Sequence, residues 1–327
     1  MRILITGGAG FLGHHVVDHF MKRTDADIVV LDKLTYASKI GFDRLRDSDA
    51  YDSKRTTILA ADFREPLSPG VCQEIGAVDY IIHLGGETHV DNSIGDSTPF
   101  VLSNVLGTQR ILDFARTLPK LKLMIFISTD EVFGVALGDV CYKETDQCNP
   151  RNPYSATKMA AECLCMAYHN TYGVPVIRMP SMNLFGERQA TEKFLPMTIR
   201  NVMQGNTVII HASPDRKTSG SRFYIHCRNW ASAAHFLLSH GVPGERYNIV
   251  GEKEVTNLEL AQTIADVVGK PLHYEMVDFH SSRPGHDLRY ALDGSKLAAL
   301  GWAPPVGFEE SLRKTILWYM ENPRWLQ

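Results

Sequence analysis

Three short stretches of this 327-residue chain combine side-chain types at spacings that support chemistry. Tyr154 and Lys158 stand at i and i+4 in Tyr154-Ser155-Ala156-Thr157-Lys158, which follows Asn152-Pro153 and opens a helical pattern. Residues so spaced share one helix face, so the ammonium should lie beside the phenol, lower its pKa from about 10 and let the phenolate take a proton from a hydroxyl. Ser128-Thr129-Asp130-Glu131 offers a hydroxyl and two adjacent carboxyls, enough for an orienting hydrogen bond, an acid and a base. The same tetrapeptide also suits a polar loop with a helix cap. Gly7-Gly8-Ala9-Gly10-Phe11-Leu12-Gly13 separates an apolar run from a helical pattern. Glycines there let backbone N–H groups approach a pyrophosphate, and Gly13 permits close helix-to-strand packing. Asp32 ends the next apolar run, where its carboxylate accepts from a ribose 2′-hydroxyl and repels a 2′-phosphate. The two signals in register favour NAD over NADP.

Elements of a particular kind must hold these residues. Ile3-Leu4-Ile5, Ile28-Val29-Val30-Leu31, Tyr80-Ile81-Ile82-His83-Leu84 and Leu123-Met124-Ile125-Phe126-Ile127 are short apolar runs with almost no alternation, as expected of parallel strands covered on both faces. A further strand is expected over residues 57–60. Helical spacing occupies the intervals, with Val16, Val17 and Phe20 after the first run and Val101, Val105, Ile111, Leu112 and Phe114 before the last. Such alternation predicts an α/β fold, a Rossmann-type doubly wound parallel sheet, with Ser128 to Glu131 at its carboxyl edge. Beyond Arg178 the rhythm weakens into Pro- and Gly-marked stretches, although helical patterns persist near 193–204, 256–268 and 308–321. The expected division is a cofactor domain over residues 1–180, with returning segments around 222–250, and a smaller, irregular substrate domain over 181–327. A crevice between them would hold the chemistry.

Composition narrows the partners. Hydrophobic residues make up 44% and charged residues 22%, an ordinary globular balance. With 34 Lys and Arg against 37 Asp and Glu, the net charge is −3. No global positive field is then available to hold nucleic acid or an anionic membrane, and any phosphate must be gripped locally. The six cysteines read as reduced thiols, since a chain of this size builds a core without bridges, and none has metal-ligand spacing, so no metal site is expected. Met1 to Gly7 enters a strand with no basic leader, and no window of about 18 apolar residues occurs. These features predict a cytoplasmic protein without membrane contact.

Taken together, Thr6 to Gly13 and Tyr154-xxx-Lys158 resemble the extended short-chain dehydrogenase/reductase superfamily. Leu31-Asp32-Lys33-Leu34-Thr35, His83-Leu84-Gly85-Gly86-Glu87-Thr88, Ser128-Thr129-Asp130-Glu131-Val132-Phe133-Gly134 and Arg283-Pro284-Gly285-His286-Asp287-Leu288-Arg289-Tyr290 are similar to the dTDP-glucose 4,6-dehydratase family. The resemblance implies that Tyr154 deprotonates a sugar 4-hydroxyl as hydride passes from C4 to NAD, supported by Lys158 and Thr129. Glu131 then removes the C5 proton, Asp130 protonates the departing 6-hydroxyl, and hydride returns to C6. It implies a cofactor site of Gly7, Gly10, Phe11, Leu12, Gly13, Asp32, Lys33, Thr35, Asp62, Phe63, Leu84, Gly85, Gly86, Ser128, Tyr154 and Lys158. The sugar nucleotide would meet Thr88, Asn183, Lys193, Arg222, Arg283 and Tyr290, with the two arginines as diphosphate clamps.

Two departures from the family stand out. Gly85-Gly86 replaces a more usual Ala-Ala and suggests a more flexible turn. The stretch from Ile209 to Tyr224 replaces a shorter turn ending in Arg-Asp-Trp beside the nucleotide base, which leaves dTDP-glucose, UDP-glucose and a UDP-N-acetylhexosamine all open. The family resemblance also implies a homodimer built on four helices, two from each copy, over 106–116 and 154–172. A C4-epimerase or decarboxylase would use Tyr154 and Lys158 but leave Asp130 without a role, and a non-catalytic NAD-sensing scaffold would not need Thr129, Tyr154 and Lys158 together.

Overall fold

The computed structural model describes residues 1–35, 42–278 and 288–327. Six parallel strands, β1 (Arg2–Thr6), β2 (Asp27–Asp32), β3 (Thr56–Ala60), β4 (Tyr80–His83), β5 (Leu123–Thr129) and β6 (Val176–Ser181), form one sheet in the order β3-β2-β1-β4-β5-β6. This is the α/β doubly wound architecture that the alternation predicts. Alternate residues of β1 explain the lack of polar positions: Ile3 and Ile5 enter one core with the helices Phe11–Arg23 and Cys227–His240, while Leu4 enters another with Ile111, Leu112, Ala161 and Cys165. Both faces are covered, so no strand position can stay polar without a buried partner. His83 is such a position, and it is satisfied: its ring bonds Thr6 Oγ1 at 2.6 Å and Thr108 Oγ1 at 3.1 Å.

The periodicity breaks at Met179-Pro180, yet β6 continues to Ser181. The chain returns alongside it, with the Tyr247 N–H donating to Arg178 O and the Ile249 N–H to Pro180 O. Proline lacks a donor but keeps its acceptor, which is what this edge uses. A third core gathers Phe185, Leu195, Ile199, Leu260, Ile264, Leu312 and Tyr319. Around it lie a sheet of β7 (Asn183–Phe185), β9 (Ser221–His226) and β10 (Glu254–Thr256) and the parallel pair β8 (Val208–Ala212) and β11 (Tyr274–Asp278). Among the described residues no helix is long and apolar enough to cross a membrane.

The turn after β1 shows why glycine is required. Gly7 has φ +69°, a conformation costly for any residue with a Cβ, and a Cβ there would lie 2.7 Å from Gly85 Cα. At Gly13 a Cβ would meet the Gly7 carbonyl oxygen at 2.1 Å, so the first helix could not seat against the strand end. Gly13→Ala should therefore cost about 3 kcal/mol of stability, the upper range for overpacking. Gly95→Ala, where a Cβ meets nothing within 4 Å, should be near neutral, and denaturant midpoints of the two variants check the contrast.

Candidate active site

A cleft of about 460 Å³ opens along the carboxyl ends of β1, β4 and β5 and is closed from the other side by the segment 181–194. Thr129 ends β5, and the single turn Asp130–Val132 follows it. The opposite wall is the helix Pro153–Tyr172, started by Asn152 with a reciprocal cap: the Ser155 N–H donates to Asn152 Oδ1 at 2.8 Å and the Asn152 N–H to Ser155 Oγ at 3.2 Å. Proline at the first helical position adds a preset φ. One turn in, Thr157 donates to the Tyr154 carbonyl and accepts from Asn104 Nδ2 at 3.0 Å. Asn104 also takes the Glu87 N–H at 2.8 Å, so one buried amide ties this helix to the loop after β4. It lies in a π-helical turn, Val101–Leu106, a local widening that often accompanies functional positions.

Thr129, Asp130, Glu131 and Tyr154 come together. Thr129 Oγ1 donates to Asp130 Oδ1 at 2.9 Å, the Glu131 N–H reaches both Asp130 Oδ1 at 3.0 Å and Thr129 Oγ1 at 3.3 Å, and Tyr154 shares a hydrogen bond with Thr129. Burial pushes the Asp130 carboxyl up to about 6, against the opposing pull of Arg222 and its own hydrogen bonds. Asp130 Oδ2 and Ser128 Oγ are buried with no hydrogen-bond partner among the described residues. Both belong to residues on the cleft wall.

Lys158 does not act on Tyr154 as its spacing suggests. Its ammonium donates to the Ile127 carbonyl at 2.7 Å and lies 4.3 Å from the Phe126 ring, and burial lowers it to about 8. The phenol is held well above its ordinary range by burial, then by the Glu131 carboxylate, while the Thr129 hydrogen bond works the other way. Shared helix face is a statement about Cβ positions, and the long lysine stem carries its charge to the strand end instead.

On the other wall, Asp32 Oδ2 accepts from the Ala9 N–H at 3.0 Å and Oδ1 from the Leu34 N–H at 2.8 Å, which pins the glycine turn to the end of β2. Each oxygen retains capacity for a second donor, so a ribose diol fits there. Gly7, Gly10 to Gly13, Lys33, Thr35, Phe63 and Leu84 to Gly86 line the same wall, and Thr88, Asn183 and Lys193 border the cleft. The Gly85-Gly86 turn is packed rather than loose. A Cβ on Gly85 would meet the Phe63 ring at 2.4 Å and one on Gly86 would meet Asn104 Oδ1 at 2.7 Å.

Other predicted positions stand apart. Asp62 does not reach the cleft wall: its carboxylate accepts from Arg64 Nε at 2.7 Å and from the Arg64 N–H at 2.9 Å. Arg222 points its Nη1 at the Ser221 and Leu288 carbonyls, both at 2.7 Å, with its guanidinium 4.7 Å from the Tyr290 ring. Tyr290 is buried with Val132, Phe133, Met182 and Leu292. Neither is on the cleft wall, although the Arg222 charge is felt by Asp130, and Arg283 lies outside the described residues. Arg44, Glu87, Asp91 and Ser181 line the cleft without a sequence signal, whereas Asn152 carried one, a capping residue directly before Pro-Tyr.

The family described as GDP-mannose 4,6 dehydratase matches residues 4–315. The dTDP-glucose 4,6-dehydratase of Haemophilus influenzae is 36% identical over 342 residues, spanning 98% of this chain and 98% of that protein. A trifunctional UDP-glucose 4,6-dehydratase/UDP-4-keto-6-deoxy-D-glucose 3,5-epimerase/UDP-4-keto-L-rhamnose-reductase of Arabidopsis thaliana is 38% identical over 99% of this chain and 48% of its own length. Among solved structures, dTDP-glucose 4,6-dehydratase from Streptomyces venezuelae with NAD bound superimposes with a TM-score of 0.90 at 34% identity, covering 100% of this chain and 99% of that one.

The Asp130 environment has a consequence for stability. A carboxyl raised to about 6 keeps its proton in the folded chain between roughly pH 4 and pH 6, where the unfolded chain has released it. Its contribution to stability is therefore full at the acid end and falls as pH rises through that window. The stability of Asp130→Asn minus that of the wild type should grow by on the order of 3 kcal/mol from pH 4 to pH 7, measured by denaturant unfolding. A difference flat with pH would mean that Asp130 ionises at its ordinary value.

Proposed function

We propose that this chain, which belongs to the dTDP-glucose 4,6-dehydratase family of the extended short-chain dehydrogenases/reductases, is an NAD-dependent hydro-lyase that converts dTDP-glucose or UDP-glucose to the 4-keto-6-deoxy sugar nucleotide. The observation that carries the reading is the pair Asp130 and Glu131 beside Thr129 and Tyr154 in one cleft, with Asp130 raised to about 6. Elimination of water needs an acid and a base side by side, and burial of one carboxyl separates their titrations.

The residues present fit a dinucleotide. The glycine turn opens a 13-residue helix whose first N–H groups suit a diphosphate, and Asp32 suits a ribose diol. Ser128 Oγ and the Lys158 ammonium border the same cleft. When bound, NAD accepts hydride from sugar C4 and returns it to C6. Tyr154 takes the proton of the 4-hydroxyl in its phenolate form, which the positive charge of a bound oxidised nicotinamide would favour against the burial of the phenol, and Thr129 orients the phenol. The 4-keto group then acidifies the C5–H bond. Glu131 takes that proton, a C5–C6 double bond forms, the C6–O bond breaks, and Asp130 gives its proton to the departing hydroxyl as water; as hydride reaches C6, Glu131 gives its proton back to C5. Lys193, at the start of the helix Phe194–Gln204, and Asn183 border the cleft where the sugar diphosphate would lie.

The cofactor lobe of residues 1–180 with its 222–250 return and the substrate lobe of 181–327 meet at this cleft. Homodimerisation is supported by Val101, Leu102, Met166 and Tyr172, apolar and 39–51% exposed on the helical segments 98–116 and 153–172. Free thiols at all six cysteines suit the reducing cytoplasm.

Incubation with C4-deuterated dTDP- and UDP-glucose tests the reaction: deuterium at C6 of a 4-keto-6-deoxy product is expected, and deuterium kept at C4 of a rearranged sugar would indicate epimerisation. Asp130→Asn combined with Glu131→Gln should retain C4 oxidation and lose elimination by several orders of magnitude, read as accumulation of reduced nicotinamide. Sedimentation should show a dimer of the 36.6 kDa chain at micromolar concentration.

A further inference from the structure

The Asn152 side chain uses both ends of its amide. Its Oδ1 accepts the Ser155 N–H at 2.8 Å and caps the helix that carries Tyr154, which assigns the other end of the amide as the N–H donor. That donor, Nδ2, lies 2.9 Å from Glu131 Oε2 across 21 residues of sequence. Asn152 is buried and its capping contact with it, while the contact with Glu131 is part-buried. Serine, threonine and aspartate cap helices as well as asparagine does, but none of them also presents an N–H past the cap. Capping alone leaves the choice of amide unexplained, and the contact to Glu131 accounts for it.

We infer that Asn152 is a positioning residue for the elimination step, holding the Glu131 carboxylate ionised and aimed from the first turn of the catalytic helix; this rests on the dehydratase reading above. Two adjacent carboxyls each penalise the other's charge, and a step that needs one ionised and one protonated requires something to break their equivalence. Asp130 is the more deeply buried of the two, and burial outweighs the donors on its Oδ1 while its Oδ2 has no partner among the described residues; half-buried Glu131 receives an amide donor, and an N–H facing a carboxylate favours its charged form. The helix start thereby sets both the phenol and the base, so the oxidising and eliminating groups keep a common frame. Among the described residues, titratable groups that share the cleft with Glu131 include Asp130 on its own turn and Tyr154 and Lys158 on the helix, and Arg222 of β9 acts on Asp130.

Asn152→Ser keeps the cap and removes the donor, and Asn152→Asp keeps the cap and sets a second carboxyl against Glu131. With dTDP- and UDP-glucose, C4 oxidation is followed by the transient of reduced nicotinamide and elimination by the 4-keto-6-deoxy product. For Asn152→Ser, oxidation should stay within about twofold of wild type while elimination falls about 10- to 100-fold, the worth of a hydrogen bond to a charged group. The acid limb of kcat/KM against pH should move up by about 1 unit, because loss of the donor raises the pH at which Glu131 ionises. Asn152→Asp should shift the limb further in the same direction, and it decides the matter by the same readouts if the serine variant does not fold.

Wild-type elimination with an unmoved limb in the folded variant overturns the inference, as does an equal fall in both steps accompanied by a lower melting temperature, the mark of a structural role. A wild-type enzyme that forms no 4-keto-6-deoxy sugar overturns the dehydratase reading and this inference with it. A productive wild type with an unaffected Asn152→Ser overturns this inference alone.

Discussion

The hydroxyl of Thr129 is the junction on which the candidate site depends. It donates to Asp130, accepts from the Glu131 backbone and shares a hydrogen bond with Tyr154, so it couples the end of β5 to the helix Pro153–Tyr172. All of this happens under cover, where a hydrogen bond is worth more and an unmet polar group costs more. The cover itself comes from the sheet. Because both faces of β5 are buried, its last residue emerges already desolvated, and the carboxyl that follows inherits that environment. The elevated Asp130 and the depressed Lys158 are two effects of the same burial, opposite in sign because one group is charged when it loses a proton and the other when it gains one.

Close backbone approach sets the rest of the cleft. The turns after β1 and β4 touch through Gly7 and Gly85, and the first helix seats on the Gly7 carbonyl through Gly13. Space left by missing Cβ atoms is used twice more, by the Phe63 ring against Gly85 and by Asn104 against Gly86. Local anions and cations then handle charge in a chain of net −3. Asp32 is spent partly on holding the turn together, and Lys193 begins the helix Phe194–Gln204 at the edge of the same cleft. The electrostatics are local, so the near-neutral total is no obstacle to binding two diphosphates.

Much of this was legible in the linear order. Apolar runs without alternation named the strands, and the helical patterns near 193–204, 256–268 and 308–321 match helices Phe194–Gln204, Asn257–Val268 and Phe308–Glu321. The glycine turn, Asp32, Thr129 to Glu131, Tyr154 and Lys158 also converge on one cleft. Those features are legible because each depends on a short-range period or on a strand-to-helix turn, and both are properties of a few consecutive residues.

What the order of residues could not settle is which partner each long side chain takes. Lys158 shares a helix face with Tyr154 but delivers its charge to Ile127 O, Asp62 turns to Arg64, and Arg222 turns to Leu288 O. Asn152 marks only the start of a helical pattern in the sequence, while its contact with Glu131 exists because the helix start folds back against the turn after β5. Local periods assign backbone conformation and the face on which a Cβ sits. The direction of the charged end, and with it the protonation state on which the chemistry turns, depends on burial and on partners brought in by the tertiary fold.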